Sequence, residues 1–168
     1  VGAYEFGGKS SRVVSGPGMY GIYTIRTSGG DFNSISAAID TLNRKGVGTN
    51  GVTFLIQCGA VFNESSTMDI TVTGTETDLI IFKSDGTGAR PVINVTGTPA
   101  PDDACFKLAG SDYITFDSLE IRDAGTSSSD YCDFGFYFVN PSQSNGCRHN
   151  NVKNCIVILN KSNSNATG

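Results

Sequence analysis

One pattern occurs twice in the second half of this chain. Tyr113-Ile114-Thr115-Phe116-Asp117-Ser118-Leu119-Glu120-Ile121-Arg122-Asp123 is answered by Asn151-Val152-Lys153-Asn154-Cys155-Ile156-Val157-Ile158-Leu159-Asn160. Phe116 aligns with Val152, Ser118 with Asn154, Leu119 with Cys155 and Ile121 with Val157, each pair offset by 36 residues. Within the first copy, apolar Ile114 and Phe116 alternate with Thr115, and Leu119 and Ile121 alternate with Glu120. Period-2 alternation gives a strand one dry and one wet face. A strand–corner–strand unit repeated at fixed spacing is the mark of a solenoid, in which each unit buries its apolar face only against its neighbours. Because the unit is β, the fold class expected is all-β, a parallel β-helix.

The rest of the chain fits that frame. Strand candidates are Tyr20–Ile25, Val52–Ile56, Met68–Val72, Leu79–Phe82, Pro91–Val95, Cys105–Leu108 and Phe134–Val139, separated by Gly, Asn, Asp or Ser. With 21 Gly and only 17% charged residues, the composition suits tight corners rather than a helical bundle. Asn154 and Ser118 fall at the corner position, where a left-handed backbone is expected. One amphipathic helix is expected over about residues 32–44, with Ile35, Ala38, Ile39 and Leu42 on one stripe, Asp31 or Ser34 as N-cap and Gly46 as stop. Laid across the first coil, it shields unpaired strand edges from other chains. The division expected is therefore 1–50 for lead-in strand and capping helix, and 51–168 for the coils. An immunoglobulin-like sandwich is the rival. The long-range repeat, the helix before the strands and the absence of Asn-Gly or Asp-Gly hairpin turns between matched strands tell against it.

The net charge of −4 argues against a nucleic-acid partner. No apolar run approaches the roughly 20 residues of a transmembrane helix. Five Cys and one His, without a CxxC pair, give no zinc pattern, so no metal is expected. Cys58, Cys105 and Cys155 read as small buried hydrophobes. Cys132 and Cys147 flank a loop-rich segment and are a possible disulfide in an oxidising compartment.

Phe32-Asn33-Ser34-Ile35-Ser36-Ala37-Ala38-Ile39-Asp40-Thr41-Leu42-Asn43, followed by Gly51-Val52-Thr53-Phe54-Leu55-Ile56, resembles the entry to pectin-lyase-like right-handed parallel β-helix proteins. Cys58-Gly59-Ala60-Val61-Phe62-Asn63-Glu64 stands where that family often has a Gly-Thr-Tyr-x-Glu turn, with Phe62 in place of Tyr. More narrowly, Gly21-Ile22-Tyr23-Thr24-Ile25 and the repeated coils are similar to large surface and secreted proteins exported by the type IX secretion system of gliding bacteria. The resemblance implies a secreted or cell-surface protein, an adhesin or glycan-contacting scaffold. Its implied partners are a polysaccharide or cell-surface glycan and the secretion machinery. It also implies the N-terminal part of a longer solenoid. The alternative it implies is a polysaccharide lyase or glycoside hydrolase with its site on the outer face or beyond Gly168.

β-Helix enzymes acting on acidic polysaccharides gather carboxylates and a cation on one outer face, to bind Ca²⁺ or move protons. The candidates are Glu120, Arg122 and Asp123, with Asp117 beside them; Ca²⁺ is the one cofactor to consider. The bland reading is an exposed ion pair worth about 0–1 kcal/mol. Asp102 and Asp103 read as a solvated loop, and His149 as a surface residue. A Ser-His-Asp hydrolase is excluded for want of a Gly-x-Ser-x-Gly elbow. Phe134, Phe136 and Phe138 are expected to stack inside, leaving Tyr137 outward. With Tyr131 and Asp130 it forms a candidate sugar-binding group. Asn63, Asn94, Asn160 and Asn165 begin N-glycosylation patterns, and Asp40-Thr41-Leu42 and Asp117-Ser118-Leu119 resemble O-glycan sites.

Overall fold

The computed structural model describes residues 17–99 and 103–160. The lead-in before residue 17, Asp102 and the Asn165 glycosylation pattern lie outside the described residues. Strands β1 (Met19–Ile25), β2 (Val47–Ile56), β5 (Ile80–Ser84), β8 (Ile114–Asp117) and β11 (Asn151–Lys153) form the first sheet. A second contains β3 (Val61–Glu64), β6 (Val92–Val95), β9 (Glu120–Asp123) and β12 (Ile156–Ile158). A third contains β4 (Met68–Ile70), β7 (Ala104–Ala109) and β10 (Phe134–Val139). The chain visits the three sheets in rotation, and the neighbouring strands in each sheet run parallel. That is a β-solenoid of about four turns. A sandwich of hairpins has antiparallel neighbours and is excluded.

Register follows the sequence repeat. Phe116 pairs with Val152, and Ile121 with Val157. Inside, Tyr23, Phe54, Phe82 and Phe116 occupy one column. The rings of Phe54 and Phe82 stack at 4.6 Å, and those of Phe82 and Phe116 at 5.5 Å. Phe106 and Phe136 stack at 5.5 Å from the third sheet, and Phe116 tilts against both. Parallel strands place like residues above one another, so one Phe per turn becomes a continuous pile. Each buried ring contributes about 1.5–3 kcal/mol of apolar burial, and each good ring pair about 0.5–1.5 kcal/mol more.

Helix α1 (Ile35–Lys45) buries Ile35, Ala38, Ile39 and Leu42, the stripe read from the sequence. Ser34 is the N-cap, its hydroxyl accepting the Ala37 N–H at 3.2 Å. Asp31 instead accepts from the amide and hydroxyl of Thr24. Gly46 ends the helix at φ 76°, donating its N–H to Leu42 O. The helix packs on β4, β1 and β3, at the start of the solenoid. Glu64, 5% exposed, fixes it there: Oε1 accepts the Ile35 N–H at 2.7 Å. A carboxylate suits a helix N-terminus because free N–H groups and the macrodipole converge on it.

The corners carry the strain. Ser118 and Asn154 have φ 60° and 55°, as their aligned positions require. Tyr113 and His149 form a second left-handed pair at φ 58° and 56°, with their rings stacked at 4.5 Å. Gly51 combines φ 71° with backbone so near that a Cβ would lie 2.4 Å from Leu79 O. Gly51→Ala is therefore expected to cost about 2 kcal/mol, read as a lower urea midpoint.

Candidate functional site

The second sheet turns Glu120 and Arg122 outward, two residues apart on β9, as alternation requires. Arg122 Nε donates to Glu120 Oε1 at 2.7 Å, and Nη2 contacts the same oxygen. Asp123 does not join them. It pairs in register with buried Val95, and its carboxylate accepts the N–H groups of Gly125 at 2.9 Å and Asn160 at 3.4 Å. Asp117 lies round the corner on the first sheet, bonded to Asn154, Ser118 and Lys153. The three candidate catalytic groups therefore split between a self-satisfied outer pair and an inner capping carboxylate. Among the described residues, no three or more His, Cys, Asp and Glu gather as a metal site would need.

Asp130 is committed to its own loop. Its carboxylate accepts the N–H groups of Thr126 at 2.9 Å and Ser127 at 2.6 Å, and both hydroxyls. The ring of Tyr131 packs against Gly125. Asp103, read from sequence as solvated, is 6% exposed and accepts from the Thr98 and Asp133 amides. It pins the strand entering β10.

These bonds leave a pH signature. The Asn154 amide and the Ser118 and Lys153 groups hold the Asp117 carboxyl below its usual range. The Ser127 amide does the same, chiefly, for Asp130. A carboxyl depressed in the fold contributes stability that is fully present above its unfolded value of about 3.9 and is lost as pH falls through the lower folded value. Melting temperature should therefore fall below about pH 4. The fall should be shallower in Asn154→Ala, because Asp117 loses its leading partner.

The third sheet holds the most distinctive outer surface. Asp69, Lys107 and Tyr137 follow one another in register across β4, β7 and β10. The Tyr137 ring stacks on Phe134 at 4.5 Å, nearly parallel at 9°, and Lys107 Nζ lies 5.8 Å from the Tyr137 ring centre. The expectation that Phe134, Phe136 and Phe138 all stack inside is thus corrected. Phe136 keeps to the interior pile, Phe134 joins Tyr137, and Phe138 is 42% exposed. At Gly135 a Cβ would lie 2.3 Å from Val157, so no side chain fits at that point. Strict alternation across Phe134–Phe138 overlooks the Phe134–Tyr137 stack and the exposure of Phe138 on β10, the edge strand of its sheet.

All five cysteines are thiols. Cys132 precedes β10, with Sγ 3.8 Å from Val95 O, whereas Cys147 Sγ donates to Leu108 O and Val139 O beyond its far end. The 6 residues of β10 stand between them, roughly 20 Å of extended chain. The pairing of Cys132 with Cys147 is therefore not formed.

At the corner between the first two sheets, Ser84, Gly86, Thr87, Gly88, Arg90 and Ser118 line a cleft of about 270 Å³. Arg90 spans it, its Nε donating to Asn154 O at 2.8 Å.

No protein-family model, curated protein or solved structure matches the chain. Function must be read from these surfaces themselves. No helix among the described residues is long and apolar enough to cross a membrane.

Proposed function

We propose that this protein is a secreted or cell-surface β-helix that contacts glycans through the outer face of its third sheet, without turning them over. The observation that supports this is the Phe134–Tyr137 ring pair beside Lys107. Stacked rings held on a sheet offer rigid apolar area at low entropic cost, matching the C–H face of a sugar ring. Lys107 adds a cation, favouring an acidic saccharide. The parallel sheet continues this face along the solenoid axis, which suits a polymer better than a small molecule. The self-satisfied Glu120–Arg122 pair and the inward Asp123 weigh against a lyase or hydrolase centre at those residues. The likeness of the lead-in and coils to type IX secretion cargo adds an export machinery as second partner, testable by mass spectrometry of copurifying proteins.

Affinity electrophoresis in gels containing polygalacturonate or neutral glucans tests the binding face. Tyr137→Ala is expected to weaken binding about tenfold, equivalent to about 1.4 kcal/mol. Lys107→Ala should weaken only the acidic polymer, and more so at low salt. Retention unchanged in both variants would remove this face from consideration. Unsaturated or reducing ends, lost in Arg122→Ala, would replace the binding reading with the lyase or hydrolase one.

A further inference from the structure

The corners between the first two sheets are of unequal length. Ser118-Leu119 joins β8 to β9 and Asn154-Cys155 joins β11 to β12, whereas seven residues, Asp85 to Pro91, join β5 to β6. Within that longer connection Gly86, Thr87, Gly88, Ala89 and Arg90 are exposed. With Ser84 and Ser118 it forms the cleft of about 270 Å³ at this corner. Arg90 reaches past the Ser118 corner to the rung beyond, where its Nε donates to Asn154 O at 2.8 Å. That bond anchors the guanidinium and leaves both Nη groups available: among the described residues no carboxylate pairs with Arg90. The carboxylates beside the cleft have cations of their own, Asp85 with Arg26 at 3.1 Å and Asp117 with Lys153 at 3.3 Å.

We propose that this cleft binds a phosphate or sulfate ester group, with Arg90 as its cationic anchor. The planar fork of a guanidinium donates in parallel to two oxygens of such a group. Gly86, Thr87 and Gly88 add consecutive backbone N–H groups that make no hydrogen bond among the described residues. Consecutive free amides form an anion-binding concavity. The Thr87 hydroxyl also has no partner among the described residues and supplies a further donor. The Ser84 and Ser118 hydroxyls already donate, to Gly86 O and Asp117 Oδ1, and complete the wall.

The class of ligand follows from the placement of donors and from size. The donors belong partly to the loop and partly to the arginine that crosses the cleft, so they approach an anion from more than one side. The oxygens of a phosphate or sulfate point in tetrahedral directions and meet such donors, whereas those of a carboxylate lie in one plane. The volume falls just below the about 300–1,000 Å³ usual for small-molecule sites, which suits the ester group and part of its carrier. The site uses neither Tyr137 nor Lys107, so it stands or falls separately from the third-sheet reading.

The test titrates the full isotope-labelled chain, at constant ionic strength, with inorganic phosphate, inorganic sulfate, mannose phosphate, sulfated N-acetylglucosamine and glucuronate, followed by amide nuclear magnetic resonance. Saturable shifts are expected at the Gly86, Thr87 and Gly88 amides and the Arg90 Nε–H with the phosphate and sulfate probes, and glucuronate should bind about tenfold more weakly. The tighter of mannose phosphate and sulfated N-acetylglucosamine identifies the ester. Arg90→Ala should weaken binding about tenfold or more, the effect of losing a charge-assisted pair. Because that change also removes the bond to Asn154 O, Thr87→Val is the second variant. It keeps the bond and should weaken binding about fivefold, the worth of one neutral hydrogen bond. No saturable shift at these amides with any phosphate or sulfate probe, glucuronate bound as tightly as they are, or unchanged affinity in either variant would overturn the proposal.

Discussion

Phe116→Ala is expected to remove about 3–5 kcal/mol of stability, the range for truncating a buried aromatic. A domain of this size has about 5–15 kcal/mol in total, so the variant should lose a large fraction of its stability. Phe116 is the ring where the two inner piles meet. It stacks on Phe82 and tilts against Phe106 and Phe136 at 4.8 and 4.9 Å. Removing it opens a cavity between the first and third sheets, which a rigid stack of parallel strands cannot collapse to fill. Phe116→Leu keeps most of the volume and should cost less than half as much. Urea unfolding followed by circular dichroism measures both; equal costs would mean that the stacked ring, not the filled volume, carries the whole contribution.

Glu64→Ala is expected to cost about 3 kcal/mol. It leaves the Ile35 N–H buried without its acceptor and removes the charge facing the helix N-terminus. Glu64→Gln keeps an acceptor and loses only the charge, so about 1 kcal/mol is expected. The damage should be local to α1. Hydrogen exchange should show helix amides protected less in Glu64→Ala while β8 and β9 keep their protection. Uniform loss across the chain would mean that α1 and the coils unfold as one unit.

The same residue shows where sequence reading runs out. In β3 (Val61–Glu64) the inward positions are Phe62 and Glu64, and the exposed ones are Val61 and Asn63. A buried carboxylate and an exposed Val invert the apolar pattern, so periodicity does not reveal a strand there. The resemblance marks the segment only as a turn. β2 begins at Val47, earlier than expected, because Val47-Gly48-Thr49-Asn50 has no alternation. Phe134 escapes because it stacks on Tyr137, three residues on, a contact that strand alternation does not bring together.

What was legible rests on the geometry of stacking. Parallel in-register rungs force equivalent residues into columns, so Phe116 and Val152, or Ser118 and Asn154, carry the same constraint in the text and in space. The helix was legible because four apolar residues at helical spacing lay between a cap and a glycine. The candidate site was less so. Alternation places Glu120 and Arg122 outward, as observed, but Asp123 takes an inward register position and no sequence pattern marks Lys107. Its signal was faint, since Lys107 reaches Tyr137 only through the pairing of β7 with β10.

Nuclear Overhauser spectroscopy on the labelled protein tests the stacking of rungs. Cross-peaks are expected between Phe116 and Val152 and between Ile121 and Val157, with the amide-to-α pattern of parallel neighbours. Strong α-to-α peaks between facing strands, the mark of antiparallel pairing, would contradict the solenoid and every surface assigned to it.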